Sequence, residues 1–323
     1  MDLSPPSRFY ALAAPGKPPP LVAGIGQCSL DFLCTIERYP EPDTKCEFHE
    51  FLIQGGGPVA TALVALRRWG FSARFSGVIC SDSFGREILA GLEGEGVNVD
   101  SVALREHGLS QFAFICIGED CGARTIFWRR PDAEPLRPSE IPEAFLRGAD
   151  ALHLDGLFAE ASLEAAKKAR EQGIPVVLDA GSVRPGMLPL VRFTDHLICA
   201  ENFARQFDPG APLSDVLYRL KDMGPRLVSI TLGPRGSVSL WEDAPCHLPA
   251  LALQAKDTTG AGDIFHAGYL YGLLRGWLPQ DCIRWATAAA GLSCRHLGGR
   301  SGIPPVNAVE ERLADLDAFR PLT

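Results

Sequence analysis

Short apolar runs alternate with helical patterns along this chain from Leu21 onward. The runs Leu21 to Gly26, Ala73 to Val78, Ala151 to Leu154, Ile174 to Asp179, His196 to Cys199 and Leu227 to Leu232 have the length and composition of buried strands. Between them, Val59, Ala62, Leu63 and Leu66 recur on one helix face, and Ser162 to Gln172 fits a crossover helix. Ile264, Ala267, Gly268, Tyr271 and Leu274 mark a later helix, which runs to Gly276 before Pro279 closes it. The alternation predicts an α/β fold, a mostly parallel sheet covered by helices on both faces.

Two segments break the alternation. Leu30 to Thr35 with Phe48 to Gln54, and Gln111 to Ile117 with Arg124 to Arg130, read as extended strands, the second pair joined by the turn Gly118 to Gly122. Their apolar residues occupy both parities: Phe112 and Phe114 point one way, Ala113 and Ile115 the other. Such a small sheet needs cover on both faces. The reading is therefore a tail over 1–20, a core over 21–29, 55–108 and 132–323, and a β excursion over 30–54 and 109–131.

Composition narrows the function classes. With 323 residues, 46% hydrophobic and 22% charged, the chain can bury a full core. A formal net charge of -8 and no Lys/Arg block argue against a sequence-independent hold on nucleic acid. Ten scattered cysteines without a C-x-x-C pair fit reduced, partly buried thiols and a cytoplasmic setting better than disulfides or zinc. Prolines interrupt the first twenty residues, so no secretory leader is read there, and no apolar run is long enough to span a bilayer.

The densest chemistry lies in Asp257-Thr258-Thr259-Gly260-Ala261-Gly262-Asp263, at the mouth of the last-named helix. There the first backbone N–H groups lack intrahelical partners and the peptide dipoles leave partial positive charge, so an anion is welcome. Glycines let an anion approach the backbone closely. A carboxylate beside a bound phosphate is repulsive unless it takes a proton from an attacking hydroxyl, which is the role Asp263 would have in a kinase. Taken by itself, the run also reads as an Asp-rich turn capping an ordinary helix.

Together with Gly24-Ile25-Gly26, Gly55-Gly56-Gly57-Pro58-Val59-Ala60-Thr61-Ala62 and Thr231-Leu232-Gly233-Pro234-Arg235-Gly236, this run makes the chain resemble a ribokinase-like (PfkB) carbohydrate kinase. The resemblance reaches from Gly24 to near Pro304. It implies a ribokinase-like three-layer α/β/α core with a small β lid over the sugar, ATP with Mg2+ as cosubstrate, and phosphoryl transfer to a sugar hydroxyl. It implies Asp263 as catalytic base and Gly260, Ala261 and Gly262 as the anion hole. Asp31, Gly55, Gly56, Gly57 and Arg124 are then the sugar-side residues, and Thr231, Gly233, Gly236 and Glu201 the nucleotide-side ones. Asp257 and Thr259, with backbone near Gly298 and Gly302, would hold a monovalent cation such as K+.

The chain departs from the family pattern at two points. Thr61 stands near where many sugar kinases place an Asn, which implies a different hydroxyl pattern in the substrate. Ala200-Glu201-Asn202-Phe203 keeps one Glu of an Asn-Glu-x-Glu pattern, so the magnesium shell is thin. Asp179, at the end of a strand, is a weaker candidate for contact, and His266 reads as a packed helix residue. Lys45, Arg124 and Arg184 are the cations that would hold an anionic substituent. A lid with two apolar faces suggests a homodimer. The alternatives are a nucleoside kinase of the same fold and a non-catalytic sugar sensor; a dinucleotide-binding dehydrogenase lacks its third glycine.

Overall fold

The computed structural model describes residues 18–119 and 124–322. Most of the expected tail and the centre of the expected turn at 118–122 lie outside these residues.

The chain enters through β1 (Leu21–Ile25) and passes into a second sheet through β2 (Ser29–Ile36) and β3 (Phe51–Gly56). It returns through α1 (Pro58–Arg68), β4 (Ser72–Ser76), β5 (Val78–Cys80), α2 (Ser83–Gly94) and β6 (Ala103–Arg105). A second excursion follows, β7 (Phe112–Gly118) and β8 (Arg124–Arg129). Then come β9 (Ala151–Leu154), α3 (Ala159–Glu171), β10 (Val176–Ala180), α4 (Met187–Val191), β11 (His196–Ala200), α5 (Glu201–Phe207), α6 (Leu213–Asp222) and β12 (Leu227–Thr231). The chain closes with β13 (Ser237–Leu240), β14 (Cys246–Leu248), α7 (Ala261–Leu274), α8 (Pro279–Ser293), α9 (Val306–Arg312) and β15 (Arg320–Pro321).

Nine strands form the main sheet in the order β15-β14-β13-β12-β11-β10-β9-β1-β4. The run from β12 to β4 is parallel, and β13, β14 and β15 are antiparallel. Alternate residues face opposite sides, so Val22 joins the apolar layer built with α1, α7 and α8, while Ala23 joins the one built with α3, α4 and α6. The expected three-layer architecture is present. Pro279 does more than close α7: it opens α8 at the first turn, where its missing N–H costs nothing.

α7 is apolar nearly all round because it lies between the sheet and α8. Gly268 lets it approach α8: a Cβ there would stand 2.7 Å from the Ala286 Cα. His266 fits the packed role expected of it, 4% exposed, with its ring nitrogens 2.7 Å from the Gly262 carbonyl and 3.2 Å from that of Ile198.

The second sheet has the order β3-β2-β7-β8 and is the small β-sheet lid. Its inner face carries Leu33, Ala113, Ile115 and Ile117, packed with Leu297. Its outer face carries the cross-strand row Ile53, Phe32, Phe114 and Phe127. The two-sided apolarity read from sequence is real, and the outer face is open: Ile53, Phe114 and Phe127 are 48%, 51% and 61% exposed.

Candidate active site

Every parallel strand from β1 to β12 points its C-terminal end at the same edge, the usual ligand side of an open α/β sheet. Strand order reverses at β1, whose neighbours are β4 and β9. Asp155 spans this opening: Oδ2 accepts the Gln27 N–H at 2.7 Å and Oδ1 accepts that of Leu157 at 3.0 Å. Asp179 lies one residue before the end of β10, the next strand, and Asp263 enters from the first turn of α7.

Electrostatics tie these groups together. Burial pushes the Asp263 carboxyl well above the ordinary carboxylate range, and the charges of Asp179, Asp31 and Asp155 push it the same way, opposed by Arg124. Asp155 is raised by burial to about 7, and Asp31 and Asp179 are also raised by burial. Asp31, Asp155 and Asp179 thus lie close enough to Asp263 for their charges to reach its carboxyl, and three of the four, Asp31, Asp179 and Asp263, were singled out from sequence. Asp155 was not, because an Asp after a strand carries no periodic or motif signal; its place beside Asp179 at one sheet edge was the available clue.

The 257–263 run forms the expected bend. Gly260 caps α7 in the left-handed region at φ 75°, and a Cβ there would meet the Gly299 Cα at 2.6 Å. Gly262 is different, since a Cβ there would meet nothing within 4 Å. The space before its backbone is open. Ala261 N–H donates to the Thr258 carbonyl at 3.3 Å, whereas the N–H groups of Gly260 and Gly262 show no acceptor among the described residues.

Asp257 is buried and acts as a clasp. Its Oδ1 accepts Thr259 N–H at 2.8 Å and Thr259 Oγ1–H at 2.7 Å, and its Oδ2 accepts Gly298 N–H at 2.7 Å. Both oxygens therefore already have donors, and a K+ ion at this turn would have to be met largely by backbone carbonyls.

Of the acceptor-side candidates, Asp31 is 7% exposed and takes a hydrogen bond from Ser29 Oγ at 2.7 Å. The glycines opposite it have a steric reason. A Cβ on Gly56 would overlap the Asp31 carboxylate, and one on Gly55 would overlap the Arg300 guanidinium. Gly57 precedes α1 at φ 94° with Pro58 as the first helical residue. Arg300, which sequence reasoning missed, is 5% exposed and donates to the Gly56 carbonyl at 3.3 Å. Arg124 reaches from β8 to hydrogen-bond Thr258 Oγ1, and Lys256 pairs with Glu50, so the lid touches the α7 bend.

The nucleotide-side candidates gather at the β12–β13 corner. Thr231 pairs in register with Ala200, beside Glu201, and Gly233 and Gly236 take φ 59° and 89°. Gly236 has no room for a Cβ against the Leu248 carbonyl. Glu201 pairs with Arg235 and Arg205. Among the described residues no three acidic, His or Cys side chains group so as to hold a metal ion. Of the three cations considered for an anionic group, Arg124 is on Thr258 and Lys45 is exposed; Arg184 lies at a cavity considered below.

No helix of the described residues is long and apolar enough to cross a membrane. The ribokinase of Bacillus subtilis is 27% identical over 293 residues, covering 90% of this chain and 98% of that protein. The ATP-dependent ribose-1-phosphate kinase of Halopiger xanaduensis is 27% identical over 296 residues, covering 91% and 98%. The structure of Arabidopsis thaliana ribokinase complexed with ribose and ATP superposes with a TM-score of 0.78 at 24% identity, covering 92% and 99%. Residues 20–305 match the pfkB family of carbohydrate kinases, and the chain, carrying that family's fold and the glycine-Asp bend at its sheet edge, belongs to this family and is a carbohydrate kinase.

Proposed function

We propose that this kinase transfers the γ-phosphoryl group of ATP to a hydroxyl of a sugar or sugar derivative, with Asp263 as the base. The observation that carries the reading is the pairing of an open backbone at Gly262 with a crowded, desolvated carboxyl one residue later. The relative from Halopiger xanaduensis is by name ATP-dependent, which supports ATP as donor.

Asp31 and the Gly55–Gly57 backbone hold the acceptor, and Arg124 joins them from the lid. The N–H groups of Gly260 and Gly262, with Ala261 turning from its long bond to Thr258, receive charge on the transferring group. Asp263 accepts the hydroxyl proton as the bond to phosphorus forms; in a loose transition state the proton leaves late, so orientation matters more than basicity. Thr231, Gly233 and Gly236 line the nucleotide, with Glu201 nearby. A magnesium ion bound to the nucleotide supplies charge neutralisation. The open outer row of the lid supports a homodimer in which a second lid covers it.

The test is Asp263→Asn. Turnover should fall to background while ATP affinity, measured by calorimetry, stays within a few fold; an Asn variant that still releases ADP removes Asp263 from the mechanism.

A further inference from the structure

A cavity of about 230 Å3 opens beside the carboxyl cluster, lined in part by Gln27, Gln111, Trp128, Arg130, Leu157 and Arg184. Two of these, Gln27 and Leu157, are the residues whose N–H groups hold Asp155, so the cavity adjoins the acceptor side of the crevice.

Two of its lining side chains are the guanidiniums of Arg130 and Arg184. Arg130 and Arg184 have no carboxylate within ion-pair distance among the described residues. Arg130 lies over the Trp128 ring, 5.2 Å from its centroid, and Arg184 is steadied by Ser182 Oγ at 3.1 Å. They are close enough that Arg130 disfavours the charge on Arg184, after burial. The one acid that lines the cavity, Glu134, is exposed and pairs with neither. Asp155 and Asp179 favour the charge on Arg184 without reaching ion-pair distance, so two guanidiniums line the cavity with no carboxylate bound to either among the described residues, an arrangement that suits an oxyanion.

Resting on the kinase reading above, we infer that the acceptor is an anionic sugar whose phosphate, sulfonate or carboxylate group lies between Arg130 and Arg184, with its hydroxyls toward Asp31 and Asp263. The charge pattern sorts the substrate end for end: carboxyls at the reacting hydroxyl, guanidiniums at the anion. A neutral sugar of the same size leaves both guanidiniums unmatched.

The experiment compares matched probes: ribose with ribose 5-phosphate, fructose with fructose 6-phosphate, and glucose with gluconate. ADP release gives kcat/KM, and calorimetry without nucleotide gives affinity. At least one anionic member should exceed its neutral partner by about 100-fold or more, and Arg184→Gln or Arg130→Gln should cut that ratio by about tenfold or more, mainly through KM. Which pair responds separates phosphate from carboxylate. Arg130 is exposed, so its variant remains informative should Arg184→Gln unfold. Equal use of both members of every pair, or a preference that survives both variants, overturns the anion site while leaving the kinase intact. If no pair turns over, the acceptor lies outside this panel, and the arginine dependence of calorimetric binding then decides the anion site alone: dependence upholds it, independence or no binding overturns it.

Discussion

Gly56 keeps clear the space that the Asp31 carboxylate occupies: a Cβ at Gly56 would stand 2.6 Å from the Asp31 Cγ. The two residues sit on adjacent antiparallel strands, with Gly56 opposite Ser29 and Ser29 Oγ donating to Asp31. Gly56→Ala should therefore act through Asp31. Overpacking of this kind costs about 1–3 kcal/mol, so the acceptor KM should rise roughly ten- to hundredfold while ATP affinity holds. Steady-state kinetics with each substrate varied checks this; an unchanged acceptor KM would separate Gly56 from acceptor binding.

The glycines of the α7 bend should respond in opposite ways. Gly260→Ala meets both a positive φ and the Gly299 backbone, so the melting temperature should fall, by the equivalent of about 1–3 kcal/mol. Gly262→Ala has free space before it, so stability should hold while kcat drops about tenfold or more, because the methyl fills the volume kept for the phosphoryl group. Melting curves alongside kcat separate the two, and full activity in Gly262→Ala would argue against an anion pocket there.

Asp155 should make stability without ligands fall as pH rises, against His153 and His196, which burial holds down at about 3 and about 4 and which therefore favour folding as pH rises towards 6.5. Burial holds Asp155 up at about 7 in the folded chain, against 3.8 for an ordinary Asp. Between those values the folded state keeps a proton that the unfolded state has lost, so the stabilisation is full below about pH 4 and is lost as pH rises through 7. The slope is at most about 1.4 kcal/mol per pH unit from this group. Melting temperatures from pH 5 to 8 should fall less, or rise more, with pH in Asp155→Asn than in the native chain, and Asp31 and Asp179, raised as well, keep part of the slope in both.

Turnover should have its acid limb above the ordinary carboxylate range. As the proposed base, Asp263 would have to be deprotonated to accept the hydroxyl proton, and burial followed by the charge of Asp179 hold its proton on. Removing that charge with Asp179→Asn should move the limb of the kcat/KM profile to lower pH. A limb that stays in place would mean that the profile reports another group.

A charge in the open row of the lid should oppose the proposed dimer. Phe114 lies in the middle of that row and is 51% exposed. Phe114→Lys should give a monomer by sedimentation where the native chain sediments as a dimer, with the fold intact, because the side chain lies outside the packed inner face. A native monomer would mean that the row has another use.

Much of this was legible along the chain because its causes are local. Apolar runs of strand length, a helix period from Ile264 to Leu274, and glycines where a bend needs positive φ are demands of backbone geometry and burial on neighbouring residues. They sufficed for the α/β core, the second sheet with its two apolar faces, and the bend ending in Asp263. Asp155, Arg130 and Arg300 carry no such signal. Each is a single polar residue whose importance comes from what faces it across the fold: Gln27 for Asp155, Arg184 for Arg130, and Gly55 for Arg300. The sequence determined which segments become strands, helices and glycine turns, because those depend on residues a few positions apart. Only the tertiary structure decided that four carboxyls would lie within electrostatic reach of one another, with two guanidiniums lining a cavity beside them, because electrostatic coupling and desolvation depend on distance through space.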